Sequence, residues 1–152
     1  MTPPVKPVNM IHAVWQGEHR FDAGRVGKPQ IRIDGHAETG PGPVDVLPTA
    51  VATCSGIDVV DILAKRRTPA TALEVEVVGE RRAEHPRRLM AVDITYHVTG
   101  AEVERAHAER AVALSLERYC SVSSSLAPDI EVRTVVVLNG ERGETVRAEV
   151  GR

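Results

Sequence analysis

The sequence predicts an α+β domain, and three observations carry that expectation. Strand-like alternation comes first, a long helix apolar on nearly every side follows, and a second, amphipathic helix sits between later strands. That order argues for an antiparallel sheet flanking helices rather than a doubly wound parallel sheet. At 152 residues the chain suits one domain, or one subunit of a compact oligomer. We read residues 1–152 as that single domain, with 1–7 and 140–152 as loosely ordered tails.

Val8 to Gln16 and Gln30 to Asp34 alternate as strands, with Gly17, Gly24 and Gly27 marking turns between them. Two or three antiparallel strands are expected up to Asp34. Gly35 to Pro43 is a loop by composition. Val44 to Arg66 is the longest element, with Leu47, Ala50, Val51, Cys54, Ile57, Ile62 and Leu63 at helical spacing. Val44, Val46, Ala52, Val59 and Val60 fill its other faces, so it should be wrapped on nearly all sides. Pro48 is tolerated only in a first turn, and Lys65 to Arg67 suit a helix C-terminus. Thr71 to Val78 and Leu89 to Thr99 read as strands joined near Pro86. Glu102 to Arg118 reads as the second helix, Ser121 to Leu126 as a short helical turn, and Ile130 to Leu138 as the last strand.

Composition narrows the function. Net charge is −2, from 19 basic and 21 acidic residues, so no strong attraction to nucleic acid or anionic membranes is expected. Hydrophobic residues are 42% but aromatics only 3%, which leaves Val, Ile, Leu and Ala to fill the core and favours burial between subunits. The start lacks an apolar signal core, and Asp45, Asp58 and Asp61 interrupt Val44 to Leu63 as a membrane span. Cytoplasmic residence is the default expectation. Six histidines show no zinc-like spacing with cysteine, so no metal is expected. Gly40 to Pro43 lacks a phosphate-loop pattern, and Ser123 to Ser125 lacks a nucleophile-elbow context.

The two cysteines remain. Cys54 lies midway along the long helix, and Cys120 follows the second one. Free cysteine often merely packs, so inert packing stands as one reading. The other is a peroxidatic and resolving pair: a thiolate becomes a sulfenic acid, which condenses with a second thiol. A mid-helix cysteine gains nothing from the helix N-terminus and is hindered by apolar burial, so it needs a cation. No Lys or Arg lies within one turn of Cys54. Arg20 is the preferred candidate, although local sequence alone reads it as a solvated hairpin arginine. Asp58, four positions after Cys54 on the same face, would oppose ionisation and is assigned structural work.

Pro43-Val-Asp-Val-Leu-Pro-Thr-Ala-Val-Ala-Thr-Cys54-Ser-Gly-Ile-Asp58, continuing to Lys65, resembles the first cysteine helix of the OsmC/Ohr superfamily. Arg110-Ala-Val-Ala-Leu-Ser-Leu-Glu-Arg-Tyr119-Cys120-Ser-Val122 resembles its second cysteine motif. The resemblance spans roughly Met10 to Asn139. It implies an intertwined homodimer whose antiparallel sheets wrap long central cysteine-bearing helices. It also implies reduction of organic hydroperoxides or hydrogen peroxide in oxidative-stress defence. Cys54 would match the peroxidatic cysteine, Cys120 the resolving one and Arg20 the activating arginine. No bound cofactor is implied; an external small dithiol, of lipoyl type in the Ohr branch, would be the reductant. One position departs. The Ohr branch has an acidic residue directly after the proline that opens the helix, where this chain has Val44. Asp45 is one step on, about 100° around a helix. The chain therefore resembles the general OsmC-like branch, and a redox-sensing or small-ligand-binding role with little turnover is the alternative.

Overall fold

The computed structural model describes residues 1–152, which form two compact units, 1–47 and 48–152. In the first, β1 (Ile11–Trp15), β2 (Arg20–Arg25) and β3 (Ile31–Asp34) make an antiparallel meander in that order. Residues 1–10 carry no regular secondary structure and are exposed. The β1–β2 turn needs positive φ at two successive residues, Gly17 (φ 94°) and Glu18 (φ 50°), and only a glycine adopts the first freely. Trp15 Nε1 donates to Glu18 O at 2.9 Å across it. Beyond β3, the buried Asp34 carboxylate accepts from His36 N (2.9 Å), Thr39 N (3.0 Å) and Thr39 Oγ1 (2.8 Å), which orders the loop that composition alone marks as irregular.

The second unit opens within α1 (Val46–Lys65). It continues with β4 (Ala72–Arg81), β5 (Leu89–Thr99), α2 (Arg105–Leu114) and β6 (Glu131–Leu138). Two short strands, β7 (Glu141–Arg142) and β8 (Val146–Arg147), close it. Along β5 the side chains of Val92, Ile94, Tyr96 and Val98 alternate inward, as period-two geometry requires. They meet Val51, Val59 and Leu63 of α1 and Ala108, Ala111 and Val112 of α2 in one core. The polar face of the sheet carries cross-strand pairs instead: Arg133 grips Asp93 with two guanidinium nitrogens, Nη2 at 2.7 Å from Oδ2.

Two expectations need correction. The sheet is mixed, because β5 and β6 run parallel while β4 and β5 are antiparallel. The reason is α2: a helical crossover returns the chain to the end where β5 began, so the next strand repeats its direction. Asn139, just past β6, exchanges two hydrogen bonds with Gly100, just past β5, which pins the two strand ends together. Next, residues 140–152 are no loose tail. β7 and β8 both pair with β6, and Ala148 and Val150 pack on the core. Ala148 and Val150, two positions apart on the same side of the extended segment, explain this, since they let a charged segment turn apolar side chains inward while Val146 stays exposed.

Within the chain α1 buries one side, at Val51, Ser55, Gly56, Val59 and Leu63. Ile57 remains 63% exposed and Val60 42%. By length and composition α1 could cross a membrane, but its buried face belongs to a sheet core and it bears Asp58 and Asp61.

Leu63→Ala removes a fully buried side chain from the α1–sheet core. It should lower unfolding free energy by about 2–5 kcal/mol in denaturant titrations. A second expectation has a pH signature. The His36 N–H, then the Thr39 hydroxyl and N–H, hold the Asp34 carboxyl well below the usual carboxylate range. A carboxylate depressed in the folded state stabilises above its unfolded value, about 4, and loses that effect as pH falls through the folded one. Asp34→Ala should thus lower the unfolding midpoint reported by Trp15 fluorescence at pH 7, and the gap from wild type should narrow below about pH 4.

Candidate functional site

Cys54 sits midway along α1, half-buried, and Cys120 is buried directly after α2 and its extension. That extension is the detail sequence patterning missed. After Leu114 the helix widens into a π turn, Ser115–Tyr119, closed by Cys120 N donating to Ser115 O at 2.7 Å. Such turns insert an extra residue into a helix and are frequent at functional sites. A 3-10 turn, Ser123–Ser125, follows at once.

The result is a short loop whose backbone donors face sulfur. Cys54 packs against the core that contains Cys120, and the Cys120 thiol and the Val122 N–H are both near enough to act on the ionisation of Cys54. Ser123 N donates to Cys120 Sγ at 3.4 Å. Both cysteines are free thiols. The two sequence-predicted cysteines are therefore brought together, which spacing alone leaves open.

The electrostatics oppose ionisation. Burial pushes the Cys54 thiol up, and the neighbouring Cys120 and the Asp58 carboxylate push it the same way, while the Val122 N–H pulls it down. Asp58 is held by the Ser115 hydroxyl, which donates to its Oδ2 at 2.8 Å. One residue past Cys54, Ser55 accepts from the Tyr96 hydroxyl at 2.8 Å and donates to Val51 O at 2.7 Å. Tyr96 is fully buried, and burial pushes its phenol far up, so it serves as a neutral donor. Tyr96, Ser55 and Ser115 escaped the sequence reading. No periodic signal marks them, because a core tyrosine and two small helix residues look like ordinary packing.

Arg20 opens β2 in the first unit, where its Nη2 lies 3.6 Å from Glu18 Oε2. No cation of residues 48–152 acts on the Cys54 thiol. Asp45, one step after the position where the resemblance departs, accepts from Gly42 N at 2.8 Å. No three His, Cys, Asp or Glu side chains converge as a metal-binding group.

Residues 35–135, which include both cysteines, match the family model described as OsmC-like protein. The chain belongs to the OsmC-like family. It is similar to protein YhfA of Escherichia coli K12, with 38% identity over 104 residues, 68% of this chain and 78% of that one. The OsmC-like protein of Mycoplasma pneumoniae is a structural neighbour with TM-score 0.76 at 17% identity, over 88% of this chain and 99% of that one. The organic hydroperoxide resistance protein OhrB of Bacillus subtilis is more distant, with TM-score 0.57 at 15% identity over 85% and 97% of the two chains. At these identities the two neighbours establish a shared OsmC-like fold.

The Asp58 effect on this OsmC-like thiol pair can be isolated. Asp58→Asn keeps an acceptor for the Ser115 hydroxyl but removes the charge. The pH midpoint for iodoacetamide alkylation of Cys54 should move down relative to wild type, followed by mass spectrometry of the Cys54 peptide.

Proposed function

We propose that this OsmC-like protein is a cysteine-dependent peroxide reductase acting on organic hydroperoxides or hydrogen peroxide in oxidative-stress defence. The observation that carries this reading is the proximity of the Cys54 and Cys120 thiols, each beside a backbone N–H, of Val122 and Ser123 respectively. In the reaction, the Cys54 thiolate attacks the peroxide O–O bond. One oxygen bonds to sulfur, and the other leaves with the electron pair and takes a proton from solvent as alcohol or water. Cys120 then attacks the Cys54 sulfenic acid, water departs, and a disulfide forms. An external small dithiol, lipoyl-type or similar, returns both thiols by exchange and is itself oxidised to a disulfide.

The raised thiol needs a cation, and Arg20 is the group proposed to supply it. We also propose a homodimer. The apolar face of α1 forms a groove of about 660 Å³ with Leu73 and Val75, and β1 and β2 expose Ile11, Trp15 and Phe21. A second copy of the chain is the proposed cover, in a cytoplasmic protein that needs no bound cofactor or metal. The alternative, a redox sensor or small-ligand binder, is favoured by the upward shift of Cys54 and by Val44.

Peroxide consumption with a dithiol reductant tests the proposal. Cys54→Ser should abolish turnover, and Cys120→Ser should permit one round of oxidation without a disulfide. Arg20→Ala should slow the first step about tenfold, the effect of a one-unit rise in thiol pKa near neutral pH. If Cys54→Ser keeps wild-type turnover, the reading fails. Slow wild-type oxidation together with a ligand that protects Cys54 from alkylation would favour the alternative.

A further inference from the structure

The segment that ends the chain touches the cysteine loop at two points, and both contacts are specific. Gly151 N donates to Leu116 O at 3.0 Å. Leu116 lies in the π turn, and its carbonyl is one of those a helix end leaves without an intrahelical partner. Arg152 Nη1 donates to Ser123 O at 3.2 Å. Ser123 is the residue whose own N–H meets the Cys120 sulfur, and its hydroxyl donates to Cys120 O at 3.1 Å. The loop is thus held at Leu116, before Cys120, and at Ser123, after it. Ala148 N bonds Val132 O at 2.8 Å, and Ala148 and Val150 pack on the core, so the strap is anchored upstream of both contacts.

Position 151 has room for nothing larger than glycine. A Cβ there would overlap the Glu117 carbonyl oxygen and lie 3.0 Å from its carbon. The strap and the Cys120 loop also share the wall of a pocket of about 190 Å³ lined by Cys120, Ser124, Gly151 and Arg152.

We infer that residues 148–152 are a clasp that keeps the Cys120 loop closed on Cys54, with Gly151 and Arg152 as positioning residues for the resolving step. This rests on the peroxidase reading for its consequence but not for its geometry. The Cys54 sulfenic acid has two fates. Condensation with the Cys120 thiol yields the disulfide and water; attack on a second peroxide yields the sulfinic acid and an alcohol. Only the first depends on where Cys120 sits. A closed clasp favours the disulfide, because proximity converts the encounter of the Cys120 thiol with the Cys54 sulfenic acid into a local step. A released clasp leaves the first oxidation untouched and diverts the sulfenic acid to the sulfinic state.

Gly151→Ala, Arg152→Ala and Arg152→Lys test this in the full-length protein. The first measurement needs no peroxide: the equilibrium between the dithiol and the Cys54–Cys120 disulfide in glutathione buffers. The clasp predicts an intramolecular disulfide about three- to tenfold less favoured in Arg152→Ala, the range that one lost hydrogen bond spans. Gly151→Ala should match or exceed that loss, and Arg152→Lys should recover part of it. The second measurement is the sulfinic fraction at Cys54 after a peroxide titration, which should rise in the same order. Wild-type glutathione equilibria in both alanine variants overturn the clasp, even where their melting temperatures fall. Shifted equilibria in a protein whose Cys54 ignores peroxide would retain the clasp and sink the peroxidase reading. If Gly151→Ala fails to fold, the Arg152 pair decides alone.

Discussion

The hydroxyl of Tyr96 reaches Ser55 from the middle of β5, and much of the molecule depends on that bond. Tyr96 is completely enclosed, so an unpartnered hydroxyl there would cost about 1–3 kcal/mol. Ser55 in turn spends its own proton on Val51 O, one turn back along α1. A slide of the helix along the sheet, or a rotation about its axis, would break the Tyr96–Ser55 bond, while the Ser55–Val51 bond lies within α1 and fixes the Ser55 hydroxyl for it. The helix register is therefore set one residue away from Cys54, and the thiol inherits its position from a core contact rather than from local sequence.

The other half of the site arrives by a different route. Cys120 comes at the end of a helical crossover that forces β6 parallel to β5. Because α2 packs Ala108, Ala111 and Val112 on the same sheet core as α1, its C-terminal end is delivered beside the middle of α1. The π turn then adds a residue before Cys120, and the bond from Ser115 to Asp58 ties that turn back to α1. Two helices that are distant in sequence so share one sheet face and bring two thiols near one another.

The chemistry of this pair is poised rather than switched on. Burial, a second thiol and a carboxylate all favour neutral Cys54, and one backbone N–H opposes them. A buried thiol in such surroundings is slow to oxidise until positive charge comes near, which protects it from casual reaction. The arrangement suits conditional reactivity, which either of the two proposed roles would require of the same residues.

Element type and order were legible in the chain itself. The period-two run of β5, the long apolar pattern of α1 and the amphipathic α2 are local properties, and local periodicity reports them directly. The motifs around Cys54 and Cys120 pointed to the OsmC-like family for the same reason, since each is a contiguous stretch. What only tertiary structure decided is non-local. The parallel pairing of β6, the approach of the two thiols and the Tyr96–Ser55 bond join residues tens of positions apart, and no spacing along a strand or helix encodes such a meeting. The strand pairing of residues 140–152 lies between these cases. Its Val146, Ala148 and Val150 alternation is present in the sequence, but three apolar residues among many charges acquire meaning only once β6 offers an edge for them to join.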